Sequence, residues 1–314
     1  MEATVVKNAG SHFFLSPLPG WDPFPAVLRG KVRLARCSST NPVAVGDHVL
    51  YDLPEGEVSE ENPAVITEVL PRANYVIRRS TNLSRQSHVI ASNLDQAVLA
   101  VSLYFPEIKL PFLDRVLVTC GVYHIPALIV LNKVDMYREE APEAVSDFVR
   151  TYEAAGYRVI QTSARTGEGI DELREACRGK VNLLSGESGV GKSSLIKALN
   201  PELNPKVGMI SEAHLQGCHT TSLYEMYRLR DGFIIDTPGL RGFGLVDLEK
   251  EEIYKYFPEM LRVADNCRFV PCTHTHEPDC AVKNALESGE ISRERYSSYL
   301  GMLEEDTKFR EKKG

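Results

Sequence analysis

Gly186–Ser193 reads GESGVGKS, set between the apolar run Val181–Leu184 (VNLL) and the helix-like stretch Ser193–Leu199 (SSLIKAL). A Gly-rich segment with a terminal Lys-Ser, placed between a strand and a helix, is the pattern of a phosphate-binding loop. Its glycines let successive backbone N–H groups turn inward at a helix N-terminus, where an anion is favoured. The cradle is expected from Gly186, Glu187, Ser188, Gly189, Val190 and Gly191, with Ser194 following. Lys192 is expected to reach the β- and γ-phosphates and the Ser193 hydroxyl to hold magnesium.

Working outward, the region from about residue 94 alternates short β-rich runs with helix-length amphipathic stretches. The runs are Ala97–Ser102, Ala127–Leu131, Arg158–Thr162 and Val181–Leu184, and the helical stretches are Leu113–Val122, Ala144–Ala155 and Gly169–Ala176. Such alternation predicts right-handed βαβ units and a parallel sheet buried on both faces. Strand-like Leu223–Leu229 and Phe233–Ile235 follow the loop, and the second runs into Asp236–Gly239 (DTPG). Asp236 at a strand end can hold magnesium through water, and the Gly239 N–H can meet a γ-phosphate.

Asn132–Asp135 (NKVD) directly follows the strand ALIVL. An aspartate there accepts from guanine N1–H and its exocyclic amine, a donor pair that adenine lacks, so the wrong base leaves a charge unpaired. Asn132 is placed to tie this loop to the phosphate loop, and the Lys133 stem to pack over the base. Thr162–Ala164 (TSA) ends the next strand, where a backbone N–H of Ser163 or Ala164 meets the guanine carbonyl oxygen. The order is inverted relative to Ras-like GTPases, with Asn132 and Ser163 ahead of Gly186 and Asp236 last. Since all these loops sit at one edge of a parallel sheet, cutting and rejoining the chain elsewhere preserves the site. A circularly permuted GTPase is the economical reading.

Ahead of this region, Lys31–Ala35, His48–Leu53, Ala64–Leu70 and Tyr75–Arg79 are short strand-like runs separated by Pro and Gly, which suits a small β-barrel such as an OB-fold. After Asp247 the chain is charged and helical in character, interrupted by Cys267, Cys272, His274 and Cys280 in a C-x4-C-x-H-x5-C array. Three thiolates and an imidazole at that spacing select one structural zinc. His276 is a near neighbour of the set. Cys37, Cys120 and Cys177 are isolated and read as small core residues.

The 314 residues are 43% hydrophobic and 25% charged with a net charge of −7, ordinary for a soluble globular protein. No apolar run approaches the roughly 18 residues of a membrane span. The start MEATVVKNAG lacks a basic segment followed by an apolar one, so a cytoplasmic protein without a membrane partner is expected, and a monomer. Nucleic-acid contact requires local basic patches, for which Arg78, Arg79 and Arg85 and the terminal KFREKK (308–313) are the candidates.

Over most of its length the chain resembles the RsgA (YjeQ) family of circularly permuted GTPases. The resemblance rests on RSTNLSR (79–85), IASNLD (90–95), FLDR (112–115), LNKVD, TSA, GESGVGKSSL, HTTS and DTPGLRGFG in family order. It implies an OB-like barrel over 1–88, a permuted GTPase domain over 89–246 and a helical zinc-binding domain over 247–314. It also implies GTP and GDP as ligands, the small ribosomal subunit with its rRNA as partner, and hydrolysis stimulated by that subunit. Leu240 stands where Ras-like proteins place a water-orienting glutamine, so intrinsic hydrolysis is expected to be slow. The resemblance points instead to His219, beside Thr220 and Thr221 of a presumed first switch. Thr221 is the expected magnesium ligand together with Ser193 and Asp236, with Thr220 its alternative. One departure is Cys218, where the family usually carries an arginine.

Overall fold

The computed structural model describes residues 1–10, 12–33, 41–79, 87–203, 224–236 and 248–311. Five strands open the chain: β1 (Glu2–Ala9), β2 (His12–Ser16), β3 (Phe24–Arg33), β4 (His48–Asp52) and β5 (Ala64–Val69). They pair in the order β1-β2-β3-β5-β4 and close back from β4 onto β1. Only β3 and β5 run parallel. This is a closed OB-type barrel, filled by Val5, Phe13, Leu15, Ala26, Val49, Ala64 and Ile66.

β1 and β2 were not anticipated from the sequence, and the third strand lies earlier than the Lys31–Ala35 run suggested. β1 defeats an alternation test because Ala3, Thr4, Val5 and Val6 are all buried. Val5 faces the barrel interior while Val6 packs into the neighbouring core, so both faces of the strand are covered.

A hairpin follows, β6 (Tyr75–Arg79) with β7 (Ser87–Ser92), and β7 runs across the 88/89 junction. It is tied to the barrel by Asp47, a fully buried carboxylate accepting from Arg72 Nε at 2.6 Å, the Ser92 hydroxyl at 2.6 Å and the Ala44 N–H at 2.8 Å.

The central layer comprises β8 (Gln96–Val101), α1 (Leu110–Val122), β9 (Ala127–Leu131), α2 (Pro142–Ala154), β10 (Arg158–Gln161), α3 (Ile170–Cys177), β11 (Val181–Gly186), α4 (Lys192–Leu199), β12 (Tyr224–Leu229) and β13 (Gly232–Asp236). Strand order is β10-β9-β8-β11-β13-β12, parallel except for β12. One core covers one face of this sheet (Leu99, Leu113, Leu117, Ile129, Leu183, Ile235) and a second covers the other (Val98, Val130, Ile160, Leu184, Leu195, Ile234). That is why β8 and β9 read as continuous apolar runs. The sheet does not stop at β12. That strand pairs antiparallel with β1, Lys7 opposite Glu225 and Asn8 opposite Tyr224, so one 11-stranded sheet runs from β10 into the barrel.

The C-terminal part consists of a 3-10 turn (Lys250–Tyr256), α5 (Pro258–Ala264), α6 (Ala281–Glu287) and α7 (Arg293–Glu311). Its core of Ile253, Phe257, Met260, Val282, Tyr299 and Met302 also takes in Val118 of α1. No helix among the described residues is long and apolar enough to cross a membrane.

Candidate nucleotide site and metal centre

β11 ends at Gly186 and α4 starts at Lys192, with the phosphate loop between them. Two glycines are required by geometry. A Cβ at Gly186 would stand 2.3 Å from the Ala100 carbonyl oxygen of the neighbouring strand. Gly191 has a φ of +99°, and a Cβ there would meet Asn132 Nδ2 at 2.5 Å. Lys192, 6% exposed, donates from Nζ to the Gly186 carbonyl at 2.8 Å and the Glu187 carbonyl at 2.9 Å. Burial pulls its pKa below the ordinary lysine value, opposed by the nearby carboxylates of Asp236 and Glu187. A buried cation held this way is suited to a polyanion, which would relieve the desolvation.

Asp236 ends β13, opposite Leu184 of β11 and Glu225 of β12, and is nearly buried. It therefore stands beside Lys192 at the edge from which the phosphate loop springs. His219, Thr220, Thr221, Gly239, Cys218 and Leu240 lie outside the described residues, as do Arg85, Cys37 and the side chains of Arg78 and Arg79. The side chains of the terminal basic run are likewise outside them.

The NKVD loop meets the phosphate loop directly. Asn132 Nδ2 donates to the Val190 carbonyl at 2.8 Å, and its Oδ1 accepts from the Thr162 hydroxyl at 3.1 Å and the Ala164 N–H at 3.2 Å. One buried amide thus joins three loops. Lys133 adopts the left-handed region, φ 65°, and sends Nζ to the Gly189 carbonyl at 2.6 Å and to the carbonyl of Phe105. The Tyr137 hydroxyl donates to the Asn132 carbonyl at 2.6 Å, bracing the loop from below. Nothing in the sequence pattern marked Tyr137 or Phe105.

Asp135 is the residue to which the sequence pattern assigns base choice. Its carboxylate is 10% exposed and pairs through Oδ2 with the Arg165 guanidinium at 2.6 Å. A hydrogen bond from the Ser163 hydroxyl, with help from Arg165, holds its carboxyl below the usual range against the opposing effect of burial. The group is ionised and oriented, the state needed to accept from paired N–H donors. Arg165 was not anticipated from the sequence, because a surface arginine after TSA has no distinguishing pattern.

In the C-terminal part, Cys267, Cys272, His274 and Cys280 place their ligand atoms within 4.8 Å of one another. Cys267 and Cys272 Sγ each lie 3.8 Å from Cys280 Sγ, and His274 Nδ1 is 3.5 Å from both Cys267 and Cys280 Sγ. A tetrahedral ion with bonds of about 2.3 Å to sulfur and about 2.0 Å to nitrogen gives edges of about 3.8 and 3.5 Å. The donor set and its spacing fit zinc. The shell around it is built: Tyr296 and Tyr299 hydroxyls donate to the His274 and Thr273 carbonyls at 2.6 and 2.7 Å, and Glu277 accepts from the Thr273 and Thr275 N–H groups. Against the opposing effect of burial, a hydrogen bond from the Thr273 hydroxyl at 2.6 Å together with those N–H groups brings the Glu277 pKa down to about 2. His276 is exposed, shares a 3.0 Å contact with the Thr275 hydroxyl, and stands apart from the cluster. Cys120 and Cys177 are buried, and burial pushes their thiols up to about 12 and about 11.

The RsgA GTPase family model matches residues 69–246. The chain is 46% identical over 313 residues to the small ribosomal subunit biogenesis GTPase RsgA of Bacteroides fragilis, covering 99% of each. It is 45% identical over 305 residues to the protein of the same description from Christiangramia forsetii, covering 97% of this chain and 96% of that one. Among solved structures, YjeQ from Thermotoga maritima matches with a TM-score of 0.77 at 32% identity over 97% of both chains. YloQ, a circularly permuted GTPase, matches with a TM-score of 0.72 at 25% identity over 97% and 94%. The fold, the inverted motif order and these likenesses agree, and the chain belongs to the RsgA GTPase family.

Proposed function

We propose that this GTPase assists late assembly of the small ribosomal subunit, binding the subunit in its GTP state and leaving when GTP is hydrolysed. The observation that carries the reading is Asn132, whose one side chain locks the NKVD, TSA and phosphate loops into a single site despite their inverted order. The relatives that match almost the whole chain are named for small-subunit biogenesis.

In this reading Gly186–Val190 and the helix start at Gly191–Ser194 cradle the phosphates, and Lys192 leaves its carbonyl partners for the β- and γ-oxygens. Asp135 reads guanine, Lys133 covers the base, and the Ser163–Ala164 turn flanks it. Magnesium, when bound, neutralises charge developing on the phosphates, and Ser193, Asp236 and Thr221 are the residues assigned to hold it. His219 orients the attacking water, with Thr220 and Gly239 beside the γ-phosphate. Residues 1–88, 89–246 and 247–314 divide the work into a barrel facing rRNA, the nucleotide switch, and a module held by one zinc on Cys267, Cys272, His274 and Cys280. The protein acts as a monomer in the cytoplasm, where its partner is assembled.

GTP turnover with and without purified small subunits tests this. Stimulation by the subunit is expected, and turnover that ignores it would sink the reading. Sedimentation with small subunits in GTP, in GDP and in a non-hydrolysable analogue then reads the release step, with retention expected only in the GTP-like states.

A further inference from the structure

The carboxylate assigned to the base is already occupied by the protein itself. Asp135 Oδ2 lies 2.6 Å from the Arg165 guanidinium as an ion pair, and Ser163 and Arg165 together hold its carboxyl below the usual range. Arg165 sits two residues past Ser163, at the turn that also carries Ala164, and its side chain is 77% exposed. It therefore reaches from solvent onto an acceptor that guanine needs.

Guanine brings two donors to this aspartate, N1–H and the 2-amino group. Hypoxanthine brings only N1–H. A site normally rejects the poorer base because the missing donor leaves a desolvated carboxylate oxygen unpaired. Here that penalty has an alternative. When the base lacks the 2-amino group, Arg165 keeps its place on the carboxylate. When the group is present, it displaces an exposed ion pair, which is a weak competitor.

We infer that Arg165 is a specificity-determining residue of this site, a substitute ion-pair partner that makes it tolerant of nucleotides lacking the 2-amino group, such as those of inosine. This rests on the assignment of Asp135 as the guanine reader. The residue acts through Asp135 and needs no contact with the base.

The test is equilibrium binding of GDP and inosine diphosphate to the full chain, comparing the wild type with Arg165→Ala. The Arg165→Ala variant is expected to raise the ratio of the two dissociation constants in favour of GDP by roughly two- to fivefold, the range an exposed pair supports. A general loss of fold weakens both ligands together and leaves the ratio alone, so an unchanged or smaller ratio overturns the inference. Asp135→Asn, tested with GDP against ADP, separates the two levels. If it keeps the preference for GDP, the guanine assignment falls and this inference with it. If it loses that preference while Arg165→Ala leaves the inosine ratio unchanged, the inference alone falls.

Discussion

At the scale of single residues, the nucleotide site depends on places where only one side chain fits. Gly191 lies under the Asn132 amide with a left-handed φ, so an added methyl both strains the backbone and pushes away the group that joins three loops. Left-handed strain alone costs a non-glycine residue about 1–2 kcal/mol. Gly191→Ala is expected to weaken binding of a fluorescent GDP analogue by at least about tenfold. An affinity within a factor of two of wild type would show that the loop accommodates the methyl. That Gly186, Lys192 and Asn132 come together was legible in the sequence, because the chemistry expected of phosphate and guanine leaves few alternatives at these positions. Arg165 and Tyr137 were not, since an arginine or tyrosine in a helper role carries no fixed spacing.

Between elements, the attachment of the C-terminal helices to α1 is made by buried charge. Arg295 of α7, 1% exposed, donates to Asp114 Oδ1 of α1 at 2.7 Å and to Glu259 of α5 at 2.7 and 3.1 Å. Tyr152 of α2 donates to the same Asp114 oxygen at 2.9 Å, and Phe257 lies 4.5 Å from the guanidinium. Removing one partner from such a cluster leaves buried charge uncompensated, at about 3–5 kcal/mol. Arg295→Met should lose that much in urea unfolding. Burial already holds the Asp114 pKa above its ordinary value, with Arg295 the chief opposing influence. Without Arg295 the carboxyl is raised further, so the folded state prefers it protonated and the variant's deficit should deepen as pH rises from 5 to 8. A deficit that shrinks over that range would contradict the assignment. The metal set belongs to the same layer, since Cys280 shares a core with Val118 of α1. One zinc per chain is expected by elemental analysis, and chelation should lower the melting temperature of the chain as a whole.

At the scale of the whole molecule, the barrel and the nucleotide sheet are one construction. The seam from β1 to β12 is made of backbone hydrogen bonds and the Lys7–Glu225 ion pair at 3.1 Å, and it closes on the strand beside Asp236. Edge pairing of this sort uses groups that every residue carries, so no side-chain motif marks the join. Side chains complete it. Trp21, from the β2–β3 connection, stacks on Phe233 of β13 at 5.6 Å, three residues before Asp236. Val6, Val45 and Val76 lie in the same core as Leu99 and Leu113. The sole tryptophan of the chain is therefore a probe placed at the junction. Thermal unfolding followed by Trp21 emission and by far-UV circular dichroism should give coincident transitions, because the barrel cannot leave without opening β12 and emptying that core. Phe233→Ala removes a buried ring and should cost about 3–5 kcal/mol. That loss should lower both transitions together by roughly 5–8 °C. If the variant lowers the Trp21 transition and leaves the dichroism transition in place, the barrel is an independent unit and the shared core does not couple them.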